Sequence, residues 1–171
     1  MEIRLAKIEA LDKIKEIYDS AKTFMDQSGN QSQWINGYPQ KELLAKNITD
    51  GDLYICAEED KIVGVFCFFQ NADDPTYRKI YNGKWLNDKP YGTIHRMASD
   101  GAISGLLEKT MPFCLGLTDN VRIDTHADNK PMLDAVRRYG FRHCGVIYVA
   151  DGSPREAFQY AKTGGLNDKS Y

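Results

Sequence analysis

A chain of 171 residues that is 42% apolar, 11% aromatic and 27% charged has the size and make-up of one globular domain spanning 1–171; such a domain buries roughly 70% of its unfolded-chain surface. A net charge of −2 offers no basic field for nucleic-acid phosphates, and no apolar run approaches the roughly 18 to 20 residues of a membrane span. The charged opening MEIRLAKIEALDK lacks the apolar stretch of a secretory signal, so a cytoplasmic protein without nucleic-acid or membrane partners is expected. Four cysteines, Cys56, Cys67, Cys114 and Cys144, lie far apart and mostly inside apolar segments. They read as reduced core thiols with no metal-ligand spacing.

In chain order, IRLAK alternates like a short strand. Ile8, Leu11, Ile14, Ile17, Tyr18 and Ala21 then recur at helical spacing. The polar, turn-rich segment QSGNQSQWINGYPQ carries Trp34 and Tyr38 and leads to a second helix, KELLAKNI. LYICAEEDKIVGVFCFF reads as a hairpin around EEDK, and residues 71–91 form a long aromatic-bearing connection of the kind that is usually functional. GTIHRMAS is the next strand, ISGLLEKTMPFCLGL a helix interrupted by Pro112, and VRIDTH the strand that completes a βαβ unit. A helix from Asn129 to Tyr139 stops at Gly140, and strands FRHCGVIYV and REAFQYAK close the chain. The sum is an α/β (α+β) domain: a mixed sheet flanked by helices.

ADNKPMLDAVRRYGF, with Asn129, Gly140 and Phe141 at the expected spacing, resembles the GCN5-related N-acetyltransferases (GNAT), as does the order of elements from about residue 2 to residue 161. The resemblance implies the GNAT fold: about seven mostly antiparallel strands and about four helices, with the fourth and fifth strands splayed apart. It implies acetyl-CoA as co-substrate, no metal, a small-molecule or peptide amine as acceptor, and room for a homodimer. The family's Gln/Arg-x-x-Gly-x-Gly/Ala pyrophosphate loop corresponds to Ala102, Ile103, Ser104, Gly105, Leu106 and Leu107. Only Gly105 is retained, although backbone N–H groups and the positive end of a helix bind an anion whatever the side chains. By the same resemblance, the strand segment Met97, Ala98 and Ser99 pairs with the pantetheine arm, while Asn129 and Met132 reach the cofactor from the last helix.

An acceptor amine near the lysine reference pKa is neutral in only about one molecule in 2,500 at pH 7, so a base is required. His95 is the candidate. A two-residue period puts it on the same side as Met97 and Ser99, and HRMA resembles the serotonin N-acetyltransferase branch of the family. His126 and His143 read as surface or structural residues. The position of the family's acidic tyrosine is occupied by Val136, which leaves Tyr148 as a weak substitute. Trp34, Tyr38, Tyr77 and Trp85 lie in loops that bind the acceptor in this family, or else pin those loops to the core.

Overall fold

The structure, a computed structural model, describes residues 1–71 and 73–163. Strands β1 (Glu2–Leu5), β2 (Leu53–Glu58), β3 (Lys61–Gln70), β4 (Gly92–Ser99), β5 (Asn120–Thr125), β6 (Arg142–Tyr148) and β7 (Pro154–Ala161) form one sheet in the order β1-β2-β3-β4-β5-β7-β6. Every pairing is antiparallel except β4 with β5, which are joined by the right kind of connection for a parallel pair, a crossover helix. Helices α1 (Leu11–Gln27) and α2 (Lys41–Thr49) precede the hairpin, α3 (Leu106–Leu117) is the crossover, and α4 (Lys130–Tyr139) follows β5. This is the architecture expected from the sequence.

Both faces of the sheet are covered, which explains why β2 and β3 read as near-continuous apolar runs. On one face, Ile14, Ile17, Tyr18 and Met25 of α1 and Leu44 and Ile48 of α2 pack on Leu53, Ile55, Val65 and Cys67. On the other, Leu106, Leu107 and Met111 of α3 and Leu133 and Val136 of α4 pack on Phe66, Phe68, Ile94 and Ile123. All four cysteines are buried and free, and burial pushes the thiols of Cys56 and Cys114 up to about 12. Among the described residues no helix is long and apolar enough to cross a membrane.

Helix α3 begins at Leu106 rather than Ile103, because Gly105 adopts a left-handed backbone (φ 69°, ψ 40°) that ends the preceding loop. Pro112 sits inside α3 without breaking it. Helix α4 is capped as its sequence indicates. The Asn129 side chain accepts the Met132 N–H at 3.3 Å, and Gly140 (φ 106°) closes the last turn with N–H bonds to Val136 and Arg137 carbonyls.

Among its described residues the 71–91 connection carries one turn of 3-10 helix, Pro75–Tyr77, yet it is firmly anchored. Trp85 donates its indole N–H to the Tyr77 carbonyl, and the buried Arg122 guanidinium lies 4.1 Å from the Trp85 ring and 3.8 Å from the Tyr91 ring. Tyr81 exchanges both backbone hydrogen bonds with Val146 on β6. Gly83 lies against the same strand: a Cβ there would come 1.9 Å from the Cys144 carbonyl oxygen. Gly83→Ala is therefore expected to cost about 3 kcal/mol of stability, checked by chemical denaturation.

Candidate active site

The β4–β5 ladder has three rungs, Gly92↔Val121, Thr93↔Arg122 and Ile94↔Ile123, and stops there. Beyond Ile94 the strands separate, and backbone that would pair inside a sheet faces open space. A cavity of about 1150 Å³ occupies the opening and reaches both faces of the sheet. From one side it is lined by Ala21, Phe24 and Met25 of α1 and by Gln33, Trp34, Ile35 and Tyr38 of the loop that follows. From the other it is lined by Gly105, Leu106 and Leu107 at the start of α3, and by Asn129, Met132 and Arg138.

At the α3 end, the first intrahelical bond runs from Lys109 N–H to the Gly105 carbonyl, so the N–H groups of Leu106, Leu107 and Glu108 have no helical partner. Gly105 has no side chain to shield them. The Glu108 carboxylate in this first turn is neutralised by Arg138, whose Nε donates to Oε1 at 2.8 Å. Unpaired N–H groups, a bare glycine and an arginine at the cavity wall suit a phosphate, which is the part of CoA the sequence resemblance puts here.

At the splayed end stands His95. Its Nε2 is 3.2 Å from Asp74 Oδ2 and its Nδ1 is 3.7 Å from Asp124 Oδ1. Asp74 comes from the long connection, where its other oxygen accepts the Thr76 N–H at 2.9 Å and the Thr76 hydroxyl at 2.7 Å. The His95 contact, then the Thr76 bonds, outweigh burial and hold the Asp74 carboxyl at about 2, so it is ionised throughout the neutral range. Asp124 accepts the Tyr77 hydroxyl at 2.5 Å, and burial with the neighbouring Asp124 charge pushes that phenol well above its ordinary value.

Arg96 bends β4 at this point. It has φ 51°, and the register slips between Val65↔Ala98 and Cys67↔His95, so β4 holds one residue more than β3 across the interval. The extra residue reverses the alternation. His95 faces the α1/α2 side with Cys67, whereas Met97 packs with the α3/α4 core, which corrects the expectation that His95, Met97 and Ser99 share a side. They still meet, because all three line the cavity that passes between the strands. The Arg96 guanidinium donates to Tyr38 Oη at 2.8 Å and Asn47 Oδ1 at 2.9 Å, and the Tyr18 hydroxyl donates to the Arg96 carbonyl at 2.6 Å.

Of the residues singled out from sequence, His95, Met97, Ala98, Ser99, Ile103, Gly105, Leu106, Leu107, Asn129, Met132, Trp34 and Tyr38 line this one cavity, whereas Ser104 does not. Tyr148 is outside it: the residue is 46% exposed and its ring packs edge-on against Tyr81. Tyr77 and Trp85 belong to a small core beneath the connection, although Tyr77 also reaches the His95 ring at 5.7 Å. His126 accepts the Asp128 N–H and His143 pairs with Glu156, and neither lines the cavity. Asp74, Asp124, Gln33 and Arg96 escaped the sequence reading. Gln33 Oε1 accepts from Asn129 Nδ2 at 3.0 Å and Asn30 Nδ2 at 2.9 Å, tying the α1–α2 loop to the start of α4. Among the described residues no group of His, Cys, Asp or Glu gathers to hold a metal ion.

No family sequence model matches this chain, and no curated protein sequence matches it. Solved structures do. A GNAT-family acetyltransferase from Streptococcus agalactiae superposes with a TM-score of 0.85 at 27% identity, covering 95% of this chain and 96% of that one. A GNAT-family acetyltransferase from Listeria monocytogenes gives 0.69 at 18% identity over 94% of both chains, and a ribosomal-protein-alanine N-acetyltransferase from Brucella melitensis gives 0.59 at 16% over 94% and 99%. The last two share the fold alone. Fold and cleft together define an α/β protein built around a split parallel strand pair. The chain belongs to the GCN5-related N-acetyltransferase superfamily.

Proposed function

We propose that this protein is an acetyl-CoA-dependent N-acetyltransferase, acting in the cytoplasm, that passes the acetyl group to an amine by direct attack on the thioester. The observation that carries the reading is the single cavity running through the strand split, with free helical N–H groups at one end and an imidazole between two carboxylates at the other. Leu106 and Leu107 with their N–H groups, Gly105 and Arg138 would hold the pyrophosphate. Unpaired β4 backbone from Met97 to Ser99, with Asn129 and Met132, would hold the arm. Bound there, acetyl-CoA supplies an activated acyl group. His95 takes the amine proton, and Trp34, Tyr38, Phe24 and Ile35 give the acceptor an apolar wall.

Free thiol released from acetyl-CoA, measured against a panel of small amines and peptides, tests this reading. Amine-dependent release supports it, and its absence across the panel sinks it. A second reading, a non-catalytic acyl-CoA-binding module, is favoured by one feature: Tyr148 lies outside the cavity, so the departing thiolate lacks the tyrosine that many family members supply. Tight CoA binding without thiol release would select it. Either reading predicts stabilisation by acetyl-CoA, about 2.7 kcal/mol at a hundred-fold excess over Kd, seen as a raised Tm.

A further inference from the structure

His95 and Asp124 are the first residues past the last rung of the β4–β5 ladder, Ile94↔Ile123, so they stand across from one another where the sheet opens. An ionised carboxylate can only accept, so Asp74 favours the tautomer with its N–H on Nε2, and in that tautomer a neutral imidazole carries its lone pair on Nδ1. That lone pair faces Asp124 Oδ1 at 3.7 Å, an oxygen that already accepts the Tyr77 hydroxyl. Two acceptors thus confront each other with no donor between them. Two residues back on the same face, Thr93 Oγ1 is buried at the cavity wall without a hydrogen-bond partner. An atom about 2.9 Å from each of two acceptors that far apart has ordinary hydrogen-bond geometry to both, and an ammonium nitrogen carries donors enough for both.

Building on the acetyl-transfer reading, we propose that Nδ1 of His95 and the Asp124 carboxylate together bind the protonated nitrogen of the acceptor, with Tyr77 as the positioning residue that holds Asp124. The acceptor class is then aliphatic amines that are ammonium ions at neutral pH. One N–H proton passes from the ammonium to Nδ1, and the nitrogen keeps the electron pair with which it would attack the thioester carbonyl carbon; as the N–C bond forms and the C–S bond breaks, CoA would leave as the thiolate and take the second N–H proton to become the free thiol. The imidazolium so formed has a carboxylate opposite each N–H and returns its proton to water at the cavity mouth, leaving both aspartates unchanged.

Calorimetric titration of the CoA-saturated protein at pH 7 tests this with phenethylamine, an ammonium ion at that pH, and aniline, which is neutral. The wild type is expected to bind phenethylamine at least about ten-fold more tightly than aniline, the scale of a hydrogen bond to a charged group. Asp124→Asn, close to isosteric, raises the phenethylamine Kd by about ten-fold or more and leaves that of aniline within about two-fold. Tyr77→Phe moves the same ratio in the same direction by less. A wild type that binds both probes alike, or an Asp124→Asn variant with the wild-type ratio, overturns the proposal. A Tyr77→Phe variant that loses Tm but keeps the ratio removes Tyr77 from it. Because the readout is binding, failure of acetyl transfer is a separate result, read from thiol release.

Discussion

His95→Gln is expected to lower kcat by about 10² to 10⁴, the usual share of a general base, while CoA affinity stays near that of the wild type. The ring lies at the splayed end of the cavity, on the α1/α2 face, and the groups suited to a phosphate lie at the start of α3. Losing the imidazole therefore removes a proton acceptor without touching the nucleotide end. Steady-state kinetics separates this from a packing role. A structural histidine would lower Tm and CoA binding together, with turnover per folded molecule unchanged. Full activity in His95→Gln would take the residue out of the chemistry.

Gly105→Val should weaken CoA binding by about ten-fold or more, measured by calorimetry on folded protein. Two effects act together. The residue has φ 69°, where a β-branched side chain costs about 1 to 3 kcal/mol, so the loop shifts to relieve the strain. A Cβ would also stand 3.4 Å from Glu108 Oε2, crowding a carboxylate whose neutralisation by Arg138 keeps the helix start open to an anion. Unchanged affinity in a folded variant would move the phosphate site away from the α3 terminus.

Local chemistry explains what could be read before the fold was known. The apolar runs of β2 and β3 around a polar turn announced a hairpin, and Asn129 and Gly140 marked the ends of α4 because a cap and a left-handed turn each select few residue types. Gly105 was legible only through the family resemblance, as the one retained position of the pyrophosphate loop. The candidate base was found by a two-residue period, and that period fails at Arg96, since nothing local signals a positive φ at an arginine inside a strand. His95 reaches the cavity nonetheless because the strands part. Asp74 and Asp124 could not be found this way. They come to the imidazole from the long connection and from β5, so only the tertiary path of the chain brings them there. Tyr77 and Trp85 illustrate the converse, aromatics whose loop position left acceptor contact and anchorage both open, and whose rings pack in the small core beneath the connection.

That anchorage also bears on how copies of the protein behave in crowded solution. In the sheet order, β6 is a terminal strand, and an open strand edge invites pairing with the edge of another molecule. The reciprocal bonds between Tyr81 and Val146 occupy the middle of that edge with the protein's own chain. At the opposite end β1 is only four residues long and alternates charged Glu2 and Arg4, which resists templating by length and charge. The segment that brings Asp74 to His95 thus also covers part of the β6 edge, and a lesion that released it would bare that edge and withdraw Asp74 from the imidazole together.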